Sequence, residues 1–184
     1  DTTQSIMNLK REGGATNIYI EAQAHQDLKR WTFSHRVGNS QNNRLNYWLD
    51  TDSHIILFER QDKKDTSPID QMIIGVDGKR NTDVITTWGP ITDLVNLAES
   101  EKLLIGTLDG TLDDDKNRAF NGKISEILIF DKKLSEDSDN NEMAKINHYL
   151  AKKWGLTATV DSDGDGVMDD VEIDKGSSPI KQDT

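Results

Sequence analysis

The stretch DSDGDGVMDDVE, which begins at Asp161, carries the most specific chemical pattern in the chain. Asp161, Asp163 and Asp165 occupy alternate positions, Gly166 follows where a loop must turn sharply, and Glu172 closes the run. This spacing matches the D-x-[DN]-x-[DN]-G-x5-E loop, whose oxygens wrap calcium, a hard cation that takes about six to eight of them. The sequence therefore predicts a Ca²⁺ site with these ligands: Asp161, Asp163, Asp165, the Val167 carbonyl, Asp169 through water, and Glu172 through both oxygens.

A second acidic segment, LDGTLDDDKN at residues 108–117, lies between two predicted strands. Adjacent carboxylates repel one another unless a cation or solvent relieves the repulsion. The segment is therefore either a solvated turn or a second metal or ligand site, and loops at one end of a β-sandwich often form a binding surface. The candidate residues are Asp109, Asp113, Asp114 and Asp115.

Trp88 stands directly before Gly89-Pro90, a pair that ends a strand. At the mouth of a loop, an exposed Trp can stack on a sugar or hold a peptide. The alternative is that its ring packs in the core. The four histidines have no spacing typical of a zinc site.

The composition excludes several classes of function. The net charge of −11 and the absence of a Lys/Arg stripe disfavour nucleic acid and anionic membranes as partners. The chain has no cysteine, so disulfides and thiolate chemistry are excluded. No apolar run is long enough for insertion into a membrane. Most of the 33 acidic residues are Asp, which favours turns and calcium loops.

The elements that must position these residues are mostly strands. Apolar alternation from Thr16 onward predicts short strands, and Asp77-Gly78 is a hairpin turn signal. Residues 141–154 predict one amphipathic helix, capped by Asn140 or Asn141 and ended by Gly155. Its apolar stripe, which we expect to face the core, comprises Met143, Ile146, Leu150 and Trp154. The pattern predicts a mainly β fold, an antiparallel β-sandwich with one C-terminal helix and a calcium-binding tail. The other predicted strands are 29–37, 44–50 and 53–59 as a hairpin, 70–76, 83–88, 102–107 and 120–130, the last covered on both faces.

Residues 120–156 carry the pattern F-x-G-x-I-x-E-I-x-I-F-D, then L-S, then a helix ending Y-L-x-x-K-W-G-L. In this pattern they resemble the end of laminin G-like, concanavalin A-like jelly-roll domains of large bacterial surface proteins. The insertion SDNN at 138–141 departs from the usual spacing. Residues after Thr157 resemble a thrombospondin type 3 calcium repeat, and the whole is similar to ligand-binding modules of RTX-type adhesins.

These resemblances imply a laminin G-like sandwich at 1–157, followed by a calcium loop and linker at 158–184. They also imply a secreted or cell-surface location, with flanking modules of a larger adhesin as neighbours. The expected function is calcium-dependent, lectin-like or peptide-binding cell adhesion, with a peptide or carbohydrate ligand on another cell. The alternative is a structural spacer with a calcium-rigidified linker and no ligand.

An enzyme is the least favoured class. Jelly-roll glycoside hydrolases need two carboxylates about 5 Å apart, supplied by a strand motif of the E-[ILV]-D-x-x-E type. The chain has Glu172-Ile173-Asp174, but Ser177 stands where the last Glu should be, and this triplet belongs to the calcium loop. No other catalytic fingerprint is present, and we expect no catalytic residues.

We expect the module to bind members of an array of glycans and free-C-terminus peptides in calcium but not in chelator. Replacing Asp114 and Asp115 with Ala should abolish that binding and leave the fold intact, because these carboxylates are expected to hold the metal that contacts the ligand. Unchanged binding by the double variant would remove this loop from the site, and an array without hits would favour the spacer.

Overall fold

A computed structural model describes residues 2–10, 16–25, 28–37, 41–48, 52–60, 72–81, 84–88, 102–106, 120–137 and 139–182. For the strands before residue 49 and for residues 84–88, the structure describes the backbone. Ile6 and Met7 are the residues of these strands whose side chains are described as well. Neither helix in these ranges is long and apolar enough to cross a membrane.

The described elements are antiparallel strands followed by two helices. The strands are β1 (Thr2–Lys10), β2 (Thr16–His25), β3 (Leu28–Val37), β4 (Gln41–Trp48), β5 (Ile56–Arg60), β6 (Met72–Val76), β7 (Lys79–Asn81), β8 (Val84–Trp88), β9 (Lys102–Ile105), β10 (Glu136–Asp137) and β11 (Asn140–Asn141). The helices are α1 (Glu142–Trp154) and α2 (Asp169–Lys175). Antiparallel sheets of this kind agree with the mainly β prediction; whether they form a jelly-roll sandwich stays a prediction.

The largest sheet has the strand order β8-β4-β3-β2-β1-β9. Its centre is a meander, because β1 to β4 pair with their neighbours in sequence and every described pairing in it is antiparallel. β2 and β3 are in register up to His25 and Leu28, so a very short connection joins them. The polar segment before Thr16, where no strand is predicted, contains β1.

The predicted hairpin of residues 44–50 with 53–59 is wrong. β4 pairs with β3 and β8, whereas β5 lies in a separate three-stranded sheet with the order β5-β6-β7. Strand pairing depends on which backbone edges meet in the folded chain, and a short polar connection between two strand-like runs does not fix that choice.

The predicted strand at 120–130 is also wrong. These residues are described, but they form no strand, and the side chains expected to be covered on both faces are exposed. The exposed fraction is 62% for Ile129 and 43% for Phe130. An apolar run becomes a strand only when a neighbouring backbone completes its ladder, and none of the described strands pairs with it.

Helix α1 begins and ends where the sequence predicts. The Asn141 side chain accepts a hydrogen bond from the Ala144 N–H at 2.9 Å, and Gly155 takes the left-handed conformation that ends the helix. The buried face differs from the apolar stripe. Trp154, predicted to lie in the core, is 44% exposed, and Lys153 lies over its ring. The buried residues of the helix are Met143, Ala144, Asn147 and Ala151.

The chain divides into two compact units, and the one relevant to the metal loop comprises residues 51–57, 75–81 and 128–184. Its apolar core joins Ile55, Ala151 and Val160, with Leu150 and Leu156 packed against them. Val160 directly precedes the acidic loop, so this core fixes the point at which the loop starts.

We expect Asn141→Ala to lower the free energy of unfolding by about 0.5–2 kcal/mol, because the Ala144 N–H loses its cap. Chemical denaturation would measure the change. Asn140→Ala is the matched control: the Asn140 side chain accepts an exposed hydrogen bond from Lys145, and its loss should cost less than about 0.5 kcal/mol. Equal costs for the two variants would contradict the capping role.

Candidate metal centre

The acidic loop starts from a short, well-bonded connection after α1. The Leu156 N–H donates to the Ala151 carbonyl at 2.8 Å, and the Val160 N–H donates to the Leu156 carbonyl at 3.1 Å. Val160 is fully buried. The backbone therefore reaches Asp161 in a fixed position relative to the end of α1.

Carboxylates inside the loop accept hydrogen bonds from the loop's own backbone. The Asp161 oxygens accept from the N–H groups of Gly164 and Gly166, each at 2.9 Å. Asp163 Oδ1 accepts from the Asp165 N–H at 3.2 Å, and Asp165 Oδ1 accepts from the Val167 N–H at 2.9 Å. Gly166 has φ 101°, a conformation that side chains rarely adopt, so the glycine of the motif is required for the turn.

Three of the predicted ligands meet in space. One carboxylate oxygen from each of Asp161, Asp163 and Asp165 lies within 4.8 Å of the others. Asp161 is 1% exposed and Asp163 is 7% exposed. Asp163 Oδ2 is buried and has no hydrogen-bond partner among the described residues. A buried anionic oxygen left this way is costly unless a cation approaches it.

Burial raises the pKa of Asp163 to about 6 from the ordinary value of 3.8. The hydrogen bond from the Asp165 N–H opposes this shift, and repulsion from the carboxylates of Asp165, Asp161 and Asp169 adds to it. In the absence of a cation, the fold therefore resists the charged form of Asp163.

Glu172, the predicted bidentate ligand, lies on α2 and is fully buried. α2 is short, and Gly176 ends it in the left-handed conformation. The Gly176 and Ser177 N–H groups donate to the carbonyls of Ile173 and Glu172. The helix thus carries Glu172 into the interior of this unit and stops one turn later.

Asp169 is also fully buried, but protein groups engage both of its oxygens. Oδ1 accepts from the Ser162 N–H at 2.9 Å, and Oδ2 accepts from the Ser162 hydroxyl and lies 2.8 Å from His148 Nδ1. Its side chain therefore joins α1 and α2 to the loop. Coordination by Asp169 through water stays a prediction, as does coordination by the Val167 carbonyl.

Several residues that hold the loop carry no signal in the motif. Asn147 on α1 donates from Nδ2 to the Ser162 carbonyl at 3.3 Å, and Gln182 donates from Nε2 to the Asp163 carbonyl at 2.7 Å. His148 contacts Asp169. A polar Asn and His on the buried side of an amphipathic helix are the only hint that the sequence offers, because the motif specifies ligands and not their supports.

The second predicted site cannot be placed in the same way. Asp109, Asp113, Asp114 and Asp115 lie outside the described residues, and the side chain of Trp88 does too, although its backbone ends β8. Comparisons with protein-family models, with curated proteins and with solved structures found no match for this chain.

We expect the metal-free protein to lose stability as the pH rises from about 4 to about 7, because of Asp163. Its folded pKa lies above its unfolded value, so the native state holds a proton that the unfolded state has already lost. The loss is complete above the folded pKa and amounts to about 3 kcal/mol at most. Asp163→Asn removes the titrating carboxyl and with it this loss of stability. In chelator, the free energy of unfolding of the variant should therefore rise relative to that of the wild type as the pH rises.

Urea denaturation in chelator at several pH values would measure this difference. Asp174→Asn removes an exposed carboxylate and should leave the pH profile parallel to that of the wild type. A parallel profile for Asp163→Asn would show that this carboxyl titrates normally in the fold.

Proposed function

We propose that residues 161–172 bind one Ca²⁺ and that the bound ion stiffens part of a non-catalytic module. The stiffened part is the compact unit of residues 51–57, 75–81 and 128–184, called the C-terminal unit below. The observation that carries the proposal is the oxygen cluster of Asp161, Asp163 and Asp165, within which Asp163 Oδ2 is buried without a hydrogen-bond partner among the described residues. A divalent cation supplies what this cluster lacks, which is positive charge within reach of several anionic oxygens.

The donor set favours calcium over other divalent cations. All predicted ligand atoms are oxygens, and four residues, Asp161, Asp163, Asp165 and Glu172, supply them directly from carboxylates. Zinc prefers nitrogen and sulfur donors. Magnesium usually keeps several waters and uses one or two carboxylates, whereas calcium accepts many oxygens in a flexible arrangement.

The flanking structure favours a static clamp over a conformational switch. Sensor proteins respond to calcium by opening a pair of helices that flank the loop. Here α1 ends at Trp154, well before Asp161, and α2 has only seven residues. The ion would hold Asp161 at the loop start and Glu172 on α2, and so join the two ends of the loop.

The wider setting that we propose is a calcium-dependent adhesion module of a secreted bacterial surface protein. Its support is the sequence resemblance of residues 120–156 to laminin G-like jelly rolls and of the tail to thrombospondin type 3 repeats. In that setting the jelly-roll sandwich would present a peptide or carbohydrate site, and the array described above decides between recognition and a spacer. The high acidity and the lack of cysteine suit a module stiffened by calcium.

Isothermal titration should show that calcium binds to this loop, and calcium at about 100 times the Kd should stabilise the fold by about 2.7 kcal/mol. Glu172→Gln keeps the size of the side chain but removes a ligand charge, and it should weaken binding by about tenfold or more. Asp170→Asn is the matched control, because Asp170 lies in the same loop and is not a predicted ligand. Equal affinities for the two variants would contradict the proposed ligand set.

A further inference from the structure

The turn between β6 and β7 has an unusual backbone. Asp77 has φ 52° and Gly78 has φ 86°, so both central residues of the hairpin are left-handed. Such turns join strands with their natural twist and favour Asp-Gly or Asn-Gly. The sequence predicts the turn, but it gives no reason for a connection with the acidic loop far along the chain.

Asp77 holds the turn to residues 54–55 with both its backbone and its side chain. Its N–H donates to the Ile55 carbonyl at 2.9 Å, and its Oδ1 accepts from the Ile55 N–H at 2.9 Å. Its Oδ2 lies 2.6 Å from His54 Nδ1. Because Ile55 packs in the core with Val160, the turn is fixed to the core residue that precedes the loop.

The same turn contacts the first predicted ligand directly. The Asp161 N–H donates to the Asp77 carbonyl at 3.1 Å. A Cβ built on Gly78 would lie 1.6 Å from the Asp161 carbonyl oxygen and 2.6 Å from its carbonyl carbon. No side chain fits in that space, so Gly78 lets two backbones approach more closely than any other residue would allow.

We propose that the Asp77–Gly78 turn is a positioning element of the calcium loop, so that calcium binding and the order of this turn stabilise each other. This inference rests on the proposed function. Asp161 is the residue through which the coupling passes, because its backbone meets the turn while its carboxylate accepts from Gly164 and Gly166 inside the loop. A shift of the Asp161 backbone therefore moves both the carboxylate and the loop that it holds.

The other side of the same backbone is held by α1, where Asn147 donates to the Ser162 carbonyl. Asp161 and Ser162 thus lie between the turn and the helix, and the loop cannot relax away from an enlarged turn without losing the Asn147 contact. Coupling of this kind is reciprocal: if the turn raises calcium affinity, calcium raises the stability of the turn by the same free energy.

The first test is calcium affinity in Gly78→Ala, measured by titration under conditions in which the variant is folded. The expected loss is about 10–100-fold, the range for groups that orient metal ligands without touching the metal. Gly155→Ala is the matched control: Gly155 lies in the same unit at a similar φ of 71°, but a Cβ there meets nothing within 4 Å. It introduces the same backbone strain without pushing on Asp161. Equal affinities for the two variants would overturn the proposal.

The second test uses the wild-type protein and does not depend on whether Gly78→Ala folds. Hydrogen exchange of the Ile55, Asp77 and Asp161 amides is followed as calcium is added. Each of these N–H groups donates within the chain of contacts that joins residues 54–55, the turn and the loop. Calcium that stabilises the whole unit slows exchange at any amide that opens by unfolding, so the Met143 amide, which donates to the Ser135 carbonyl in the same unit, is the reference. The expected result is that calcium slows exchange at Ile55 and Asp77 more than at Met143. Equal slowing at the three amides overturns the proposal.

The two tests separate failure of this inference from failure of the proposed function. If the wild type binds no calcium in the titration, the proposed site is wrong, and the coupling is wrong with it. If the wild type binds calcium but neither the affinity of Gly78→Ala nor the exchange at Asp77 responds as expected, the site stands and only the coupling is wrong.

Discussion

Repulsion between carboxylates that are withdrawn from water is the constraint on which the C-terminal unit depends. Asp161 and Asp163 are nearly inaccessible, and Asp169 and Glu172 are fully buried. So many anionic groups at close range are tolerated in a fold only when hydrogen bonds, protons or cations compensate them. Hydrogen bonds compensate Asp161 and Asp169, whereas Asp163 Oδ2 is buried without a hydrogen-bond partner among the described residues, so compensation there is incomplete.

This constraint explains why the buried face of α1 is not its most apolar stripe. Asn147 and His148 turn toward the loop, where they contact the Ser162 carbonyl and the Asp169 carboxylate. Ile146 and Leu150, on the apolar stripe, are only half-buried. A helix that must supply donors to a buried acidic loop gives up some apolar burial, because an unpaired buried polar group costs more than a partly exposed apolar side chain.

Local features of the structure were predictable, and the pairing of distant segments was not. Features that depend on a few adjacent residues leave a pattern in the sequence from which they can be predicted. They include the Asn141 cap, the helix end at Gly155, the Asp77-Gly78 turn and the alternating aspartates. Other features depend on which distant segments meet after folding. These are the partners of β4 and β5, the unpaired run at 120–130, and the contact between His148 and Asp169. Apolar periodicity carries no information about that choice.

The contact of Gly78 with Asp161 also sets an order for assembly. Hydrogen bonds within the loop join residues two to five positions apart, so they form early and at small entropic cost. The contact with the turn closes a long stretch of chain, which costs more entropy than the contacts within the loop. During synthesis the turn emerges before the loop, because residues 77–78 precede residues 161–172. Under the proposed function, full affinity for calcium would require both the local contacts and the long-range one, so the affinity would measure how completely this unit has folded.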